Sequence, residues 1–205
     1  RGLKTSAPMS SKEIEEEMDL TAEITPQERV IGKVDTAGDT NNAEDYLRQL
    51  ARSQNVDGSW DGNVELTAAA LLCFVRLGQT THTGYYRKLL KKAVDWLEKA
   101  VARGTTGFVK AAALAEMAQA VNRPEIKQTA QNALAGLPEP TTPLEEYVIR
   151  RWVKMENPIA PQKIETPDEL RWAALSNTQL PIPANLLRGK IERTWQVALK
   201  ATAIR

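Results

Sequence analysis

At 205 residues the chain is long enough to bury one hydrophobic core of ordinary domain size. Its 42% hydrophobic and 26% charged residues sit near globular averages, which excludes a chain disordered throughout. A formal net charge of +1, with Lys88, Lys91 and Lys92 followed by Asp95 and Glu98, argues against a nucleic-acid partner, which calls for a concentrated basic face.

The longest apolar run, residues 68–75, falls short of the ~20 residues that span a bilayer, so no membrane span is expected. No secretory stretch opens the chain; the compartment stays open, with the cytoplasm the default expectation for a soluble product. The sequence starts at Arg1-Gly2 without an initiator Met, which predicts a piece of a longer polypeptide. Cys73 is the only cysteine and His82 the only histidine, so neither a disulfide framework nor a zinc site is expected.

Residues 1–41 are rich in Ser, Thr, Pro, Gly and acids, with Glu15, Glu16 and Glu17 in a row. Ser10 and Glu13 fit a capping box that would open a short helix to about Leu20. Val30, Ile31 and Val34 could make a short strand, but the segment as a whole reads as a linker or extension.

From Asn42 a helical domain begins and runs to 205, with clear repeats over 42–137 and divergent helices over 138–205. Ala43, Tyr46, Leu47, Leu50 and Ala51 fall on one helical stripe. The next segment, 64–77, is apolar nearly all round and stops at Gly78, a natural helix C-cap. Segment 86–103 returns to one apolar face through Leu89, Leu90, Ala93, Val94, Trp96, Leu97 and Ala100, and closes at Gly104. Segment 108–121 is again apolar all round and halts before Pro124, and 125–134 is one-faced, ending at Gly136.

Helices with one wet face alternating with helices that have none predict an all-α fold of antiparallel helix pairs in two layers. Residues 43–47 (Ala-Glu-Asp-Tyr-Leu) align with 93–97 (Ala-Val-Asp-Trp-Leu), and Gly58-Ser59-Trp60 has a counterpart in Gly107-Phe108. The period is near 50 residues, as in helix-pair arrays. Beyond Pro138, seven prolines from Pro140 to Pro183 cut the chain into shorter pieces. Helices are expected over 144–155, 167–176 with Pro167 at its start, and about 185–203 with Ile191, Trp195, Ala198 and Leu199 inward.

One motif is tighter than the rest: Gln54-Asn-Val-Asp57-Gly58-Ser59-Trp60. Asp-Gly is a strong turn signal, Trp60 is placed to cover a helix joint, and the Gln54 amide to stack on the indole and satisfy free groups at a helix end. The structural role is favoured over reading Asp57 as an acid.

This succession resembles the repeat of squalene-cyclase-like and protein-prenyltransferase-like α/α toroids, a group that includes the thioester domain of complement-type proteins. The likeness runs from Tyr46-Leu47 through Gln54-x-x-Asp57-Gly58-Ser59-Trp60, Leu66-Thr67-Ala68-x-Ala70-Leu71-Leu72 and Gly78 to Tyr86-Arg87 and Ala93-Val94-Asp95-Trp96-Leu97. It implies an outer helix, a glutamine–tryptophan turn, an inner helix, a loop and the next outer helix, in a partial or open toroid. It also resembles the helical region that ends some bacterial proteins carrying von Willebrand factor A-type domains, which implies a C-terminal part of a multidomain protein.

The catalytic parts of those families have no counterpart: no aspartate-rich acid motif over 42–205, no zinc ligand set, and Cys73 is followed by Phe74-Val75-Arg76 rather than Gly-Glu-Gln. No catalytic, cofactor or metal residue is therefore expected. Cys73 reads as a buried thiol and His82 as an exposed loop residue. The candidate interaction surface is Arg150, Arg151, Trp152 and Lys154, with Arg171 and Trp172, because Arg and Trp are enriched where interfaces concentrate their energy.

The expected function is a non-catalytic protein-interaction or scaffolding module, its partner another protein or other domains of the same polypeptide. The alternative is a terpenoid-cyclase-like enzyme or a lipid- or small-molecule-binding domain with an apolar central cavity. Carboxylates converging on that cavity would distinguish it, and Glu65 and Glu116 are the acids in the all-round apolar helices.

Overall fold

The computed structural model describes residues 43–105 and 107–203. The helix and strand considered within residues 1–41 lie outside the described residues. The described residues form helices joined by loops, with no strand among them. Its elements are α1 (Ala43–Arg52), α2 (Val64–Arg76), α3 (Arg87–Ala102), α4 (Phe108–Val121), α5 (Pro124–Ala135), α6 (Pro143–Val148) running into a π turn (Ile149–Val153), α7 (Pro167–Ser176), a 3-10 turn (Ala184–Arg188) and α8 (Lys190–Ala203).

Local chemistry sets the ends. The Asn63 side chain accepts the Leu66 N–H at 2.9 Å and starts α2. Gly78 closes it in the left-handed region (φ +75°), with Gln79 N–H donating to Phe74 O and Gly78 N–H to Val75 O, both at 2.9 Å. That is the Schellman arrangement, and Gly104 repeats it at the end of α3. Thr142-Pro143 and Thr166-Pro167 each start a helix with a reciprocal capping box, to Glu145 and Glu169.

The expected layering is observed. Ten consecutive residues of α2, Leu66 through Val75, are buried, and so are Phe108 through Ala115 with Met117 and Ala118 on α4. α3 buries only Leu90, Ala93, Val94, Leu97 and Ala100, and α5 only Ile126, Thr129, Ala130 and Ala133. Lys88, Lys92, Glu98 and Lys127 stand in solvent. α2 is wrapped by α1, α3, α4 and α8, which is why it has no wet face. Fully burying each Leu or Phe of this helix is worth about 1.5–3 kcal/mol, so α2 and α4 carry much of the core.

The first residues of α2, α4, α6 and α7 surround one cleft, which includes Val64, Phe108, Leu144 and Asp168. Their last turns surround another, at Arg76, Gln119, Trp152 and Ser176. These four helices therefore run in the same direction, while α3 and α5 return along the outside. Between α6 and α7 the return path is not a helix. Residues 154–166 form an extended strap, where Pro158 and Pro161 deny the backbone donors a helix needs, and the strap is pinned inward by Pro161 and Ile164.

Two boundaries differ from expectation. The helix foreseen over 144–155 breaks at Ile149 into the π turn, where Lys154 N–H reaches Ile149 O at 2.9 Å. The last helix, foreseen from about 185, begins only at Lys190, after the 3-10 turn. Trp195, Ala198 and Leu199 are buried as expected, and Ile191 is half-buried.

Candidate functional site

The glutamine–tryptophan turn is a joint between α1, α2 and α3. Trp60 is 2% exposed, its indole N–H donates to Leu50 O at 2.8 Å near the end of α1, and its backbone N–H donates to Thr67 Oγ1 of α2 at 2.9 Å. The Gln54 amide donates to Gly58 O at 2.9 Å and to Leu89 O of α3 at 3.0 Å, fixing the turn to the outer helix. Gly58 adopts φ +96°, and a Cβ there would lie 2.4 Å from Lys92 O, so only glycine permits this approach to α3.

Asp57 Oδ1 accepts the Ser59 N–H at 3.0 Å and the Ser59 hydroxyl at 2.7 Å, and Oδ2 accepts the Trp96 indole N–H at 3.2 Å. The Ser59 backbone bond, then its hydroxyl, hold the carboxyl below the usual aspartate value. An acid kept ionised by its own turn is poorly suited to donate a proton. The arrangement is structural.

The larger of the two end clefts, about 650 Å³, lies where α2, α4, the π turn and α7 finish. Its floor is an ion pair. Arg76 Nη2 is 2.6 Å from Glu116 Oε1 and donates to Leu175 O at 2.8 Å, Arg76 Nη1 donates to Ala174 O, and Arg76 Nε donates to Glu116 Oε2 at 2.9 Å. Arg76 thus satisfies carbonyls at the end of α7 while neutralising Glu116. Tyr147 donates to Leu175 O at 3.4 Å from the same floor, and burial raises its pKa.

The six candidate interaction residues do not share one place. Arg151 and Trp152 line this cleft, with the guanidinium carbon 5.4 Å from the indole centroid and Nη1 donating to Asn157 Oδ1 at 3.3 Å. Arg150 turns outward and pairs with Glu156 at 2.6 Å, while Trp172 borders a small pocket of about 160 Å³ beside Arg150 and Ile159. Lys154 is exposed. Arg171 does not belong to this surface. It is largely buried at the opposite end of α7, among Glu65 (2.6 Å), Asp168 (2.7 Å) and Glu192 (3.7 Å), because the fold brings α2 and α8 against it.

Five large apolar residues are exposed among the described residues: Val56 and Tyr85 in separate loops, and Val153 (49% exposed), Met155 (69%) and Ile159 (76%) close together in sequence. Val153 ends the π turn and Met155 and Ile159 follow on the strap; Met155 sits at φ +57°, unusual for a side chain of its size. A π turn leaves no periodic mark in sequence, so the outward turn of Val153 was not legible.

The acids of the inner helices do not converge. Glu65 begins α2 and pairs with Arg171, whereas Glu116 pairs with Arg76 at the far end of α2. The eleven helical steps from Glu65 to Arg76 correspond to about 16 Å. At the Glu65 end a second cleft of about 410 Å³ contains Lys110, 2% exposed, whose ammonium donates to Thr105 O; burial lowers its pKa. Its position as a lone lysine in an apolar helix was the available signal.

His82 is exposed in its loop, with Nδ1 2.8 Å from Thr81 Oγ1. Among the described residues no three His, Cys, Asp or Glu side chains are grouped to hold a metal ion. Cys73 is fully buried, and burial pushes its thiol pKa up to about 12. The native protein is therefore expected to resist a thiol-reactive dye at neutral pH and to label stoichiometrically in denaturant. Rapid labelling of the native state would mean that α2 opens readily.

The full chain matches no protein-family model, no curated protein and no solved structure.

Proposed function

We propose that residues 42–205 form a non-catalytic protein-interaction or scaffolding module, binding another protein or another domain of its own polypeptide. The observation that carries this reading is the patch where the π turn passes into the strap. Val153, Met155 and Ile159 expose apolar surface beside Arg151 and Lys154, on a rim held by the buried Trp152. Exposed apolar anchors with cationic neighbours on a rigid support suit protein docking. The resemblance to α/α toroids supports the same reading, since stacked helix pairs present extended surfaces.

The cyclase-like alternative draws less support, because Glu65 and Glu116 sit at opposite ends and each is held by an arginine. Within the module reading, the glutamine–tryptophan turn serves as the joint that keeps the layers in register.

Selection of a random peptide display library on the full chain tests the proposal. Enriched peptides should lose binding when Met155→Asp and Ile159→Asp are introduced together, and keep it with Lys88→Asp on α3. Failure to enrich, or enrichment insensitive to the paired substitution, would overturn it.

A further inference from the structure

Resting on the interaction reading above, we infer that the cleft behind this patch is a carboxylate subsite, in which Arg151 receives an acidic side chain of a partner protein segment. Arg76, Arg150 and Arg171 each have a carboxylate oxygen at 2.6 Å, from Glu116, Glu156 and Glu65 respectively. Arg151 has none among the described residues. Its guanidinium instead donates to the neutral Asn157 amide oxygen, at 3.3 Å.

A half-buried guanidinium without an anion normally swings into water. Here two contacts draw it inward: the guanidinium carbon lies 5.4 Å from the centroid of the buried Trp152 indole, and Nη1 reaches Asn157 Oδ1 on the strap at 3.3 Å. These contacts restrain the planar donor set at the cleft and leave N–H groups beyond the one Asn157 uses. Ordering in advance lowers the entropy cost of binding, and the fork geometry of guanidinium matches carboxylate better than an ammonium would.

The rest of the lining agrees. Gln119, Asn157, Ser176 and Asn177 border the cleft with neutral donors, and Glu116, the acid on its floor, is already neutralised by Arg76. Lys154, exposed three residues beyond Arg151 along the chain, adds a positive charge to the same segment. Met155 and Ile159 stand nearby for aliphatic side chains of the same segment, so the partner chemistry is an acidic segment with aliphatic anchors.

The test uses the full chain and two labelled synthetic peptides, one alternating glutamate with leucine and one with glutamine in place of glutamate, read by fluorescence anisotropy. The acidic peptide should bind, weaken as salt rises, and lose about tenfold in affinity, or ~1.4 kcal/mol, on Arg151→Gln. Arg151→Lys should recover only part of that loss. The glutamine peptide should bind more weakly and ignore Arg151→Gln, an arm that needs no altered protein for its first half. Equal binding of the two peptides, or indifference of the acidic one to Arg151→Gln, overturns the subsite. If display-selected binders depend on Met155 and Ile159 yet not on Arg151, the interaction surface stands and the carboxylate subsite falls.

Discussion

Trp60→Ala is expected to remove about 3–5 kcal/mol of unfolding free energy, the usual cost of emptying a large buried aromatic site. Three contributions are lost together. The indole leaves a void against Phe74, whose ring centroid is 6.3 Å away. Leu50 O, near the end of α1, loses the indole N–H and keeps only the Ser53 N–H (3.1 Å) and hydroxyl (2.9 Å). The turn then loses its inward anchor while Gly58 and Gln54 still tie it to α3. Urea unfolding followed by circular dichroism measures the loss. Trp60→Phe divides it, because phenylalanine keeps most of the packing and gives up the bond to Leu50, worth about 1 kcal/mol. A midpoint equal to the parent's would show that the turn does not hold the layers.

That expectation follows from sequence alone, and its structural basis explains why. Asp57-Gly58 and Trp60 encode a local event, a turn whose partners lie mostly within ten residues, so the motif announces itself. The inner helices were legible for a similar reason. Apolar residues all round 64–77 and 108–121 can only mean burial on several sides, whatever the neighbours are. The identity of those neighbours is another matter. α8 covers α2 although nearly the whole domain separates them in sequence, and nothing in the stripe through Trp195 says which helix it meets.

The functional patch was half legible. Arg151 and Trp152 stood out by residue type, but their separation from Arg171 depends on the direction of α7 and on where the π turn interrupts α6. The strap was foreseen only as a loosening of pattern caused by proline. Its consequence, the exposure of Met155 and Ile159, comes from a left-handed residue and an extended path that no hydrophobic period records. Arg171 shows the reverse error. Its sequence neighbour Asp168 suggests a solvated helix pair, whereas Glu65 and Glu192 reach it only through tertiary contact.

The same cluster gives the second large expected effect. Arg171→Met should cost about 3 kcal/mol at neutral pH, the lower end of the range for removing one partner of a buried ion pair. The lower end applies because Glu65 and Asp168 keep part of their hydration, with 34% and 52% of their side chains exposed. Burial already raises the Glu65 carboxyl above its usual value, and Arg171 is the group that opposes this. Without the arginine the folded-state pKa rises further. A carboxyl whose pKa is raised by folding takes up a proton in the native state before it does so in the unfolded chain. The penalty is then full above the folded-state pKa and shrinks as pH falls through it. Parent and variant unfolding free energies should therefore converge as pH is lowered toward the carboxylate range, and adding Glu65→Gln to Arg171→Met should restore part of the loss at pH 7. A deficit that stays constant across this range, or a double variant no better than the single one, would show that Arg171 holds α2 and α7 together by packing rather than by charge.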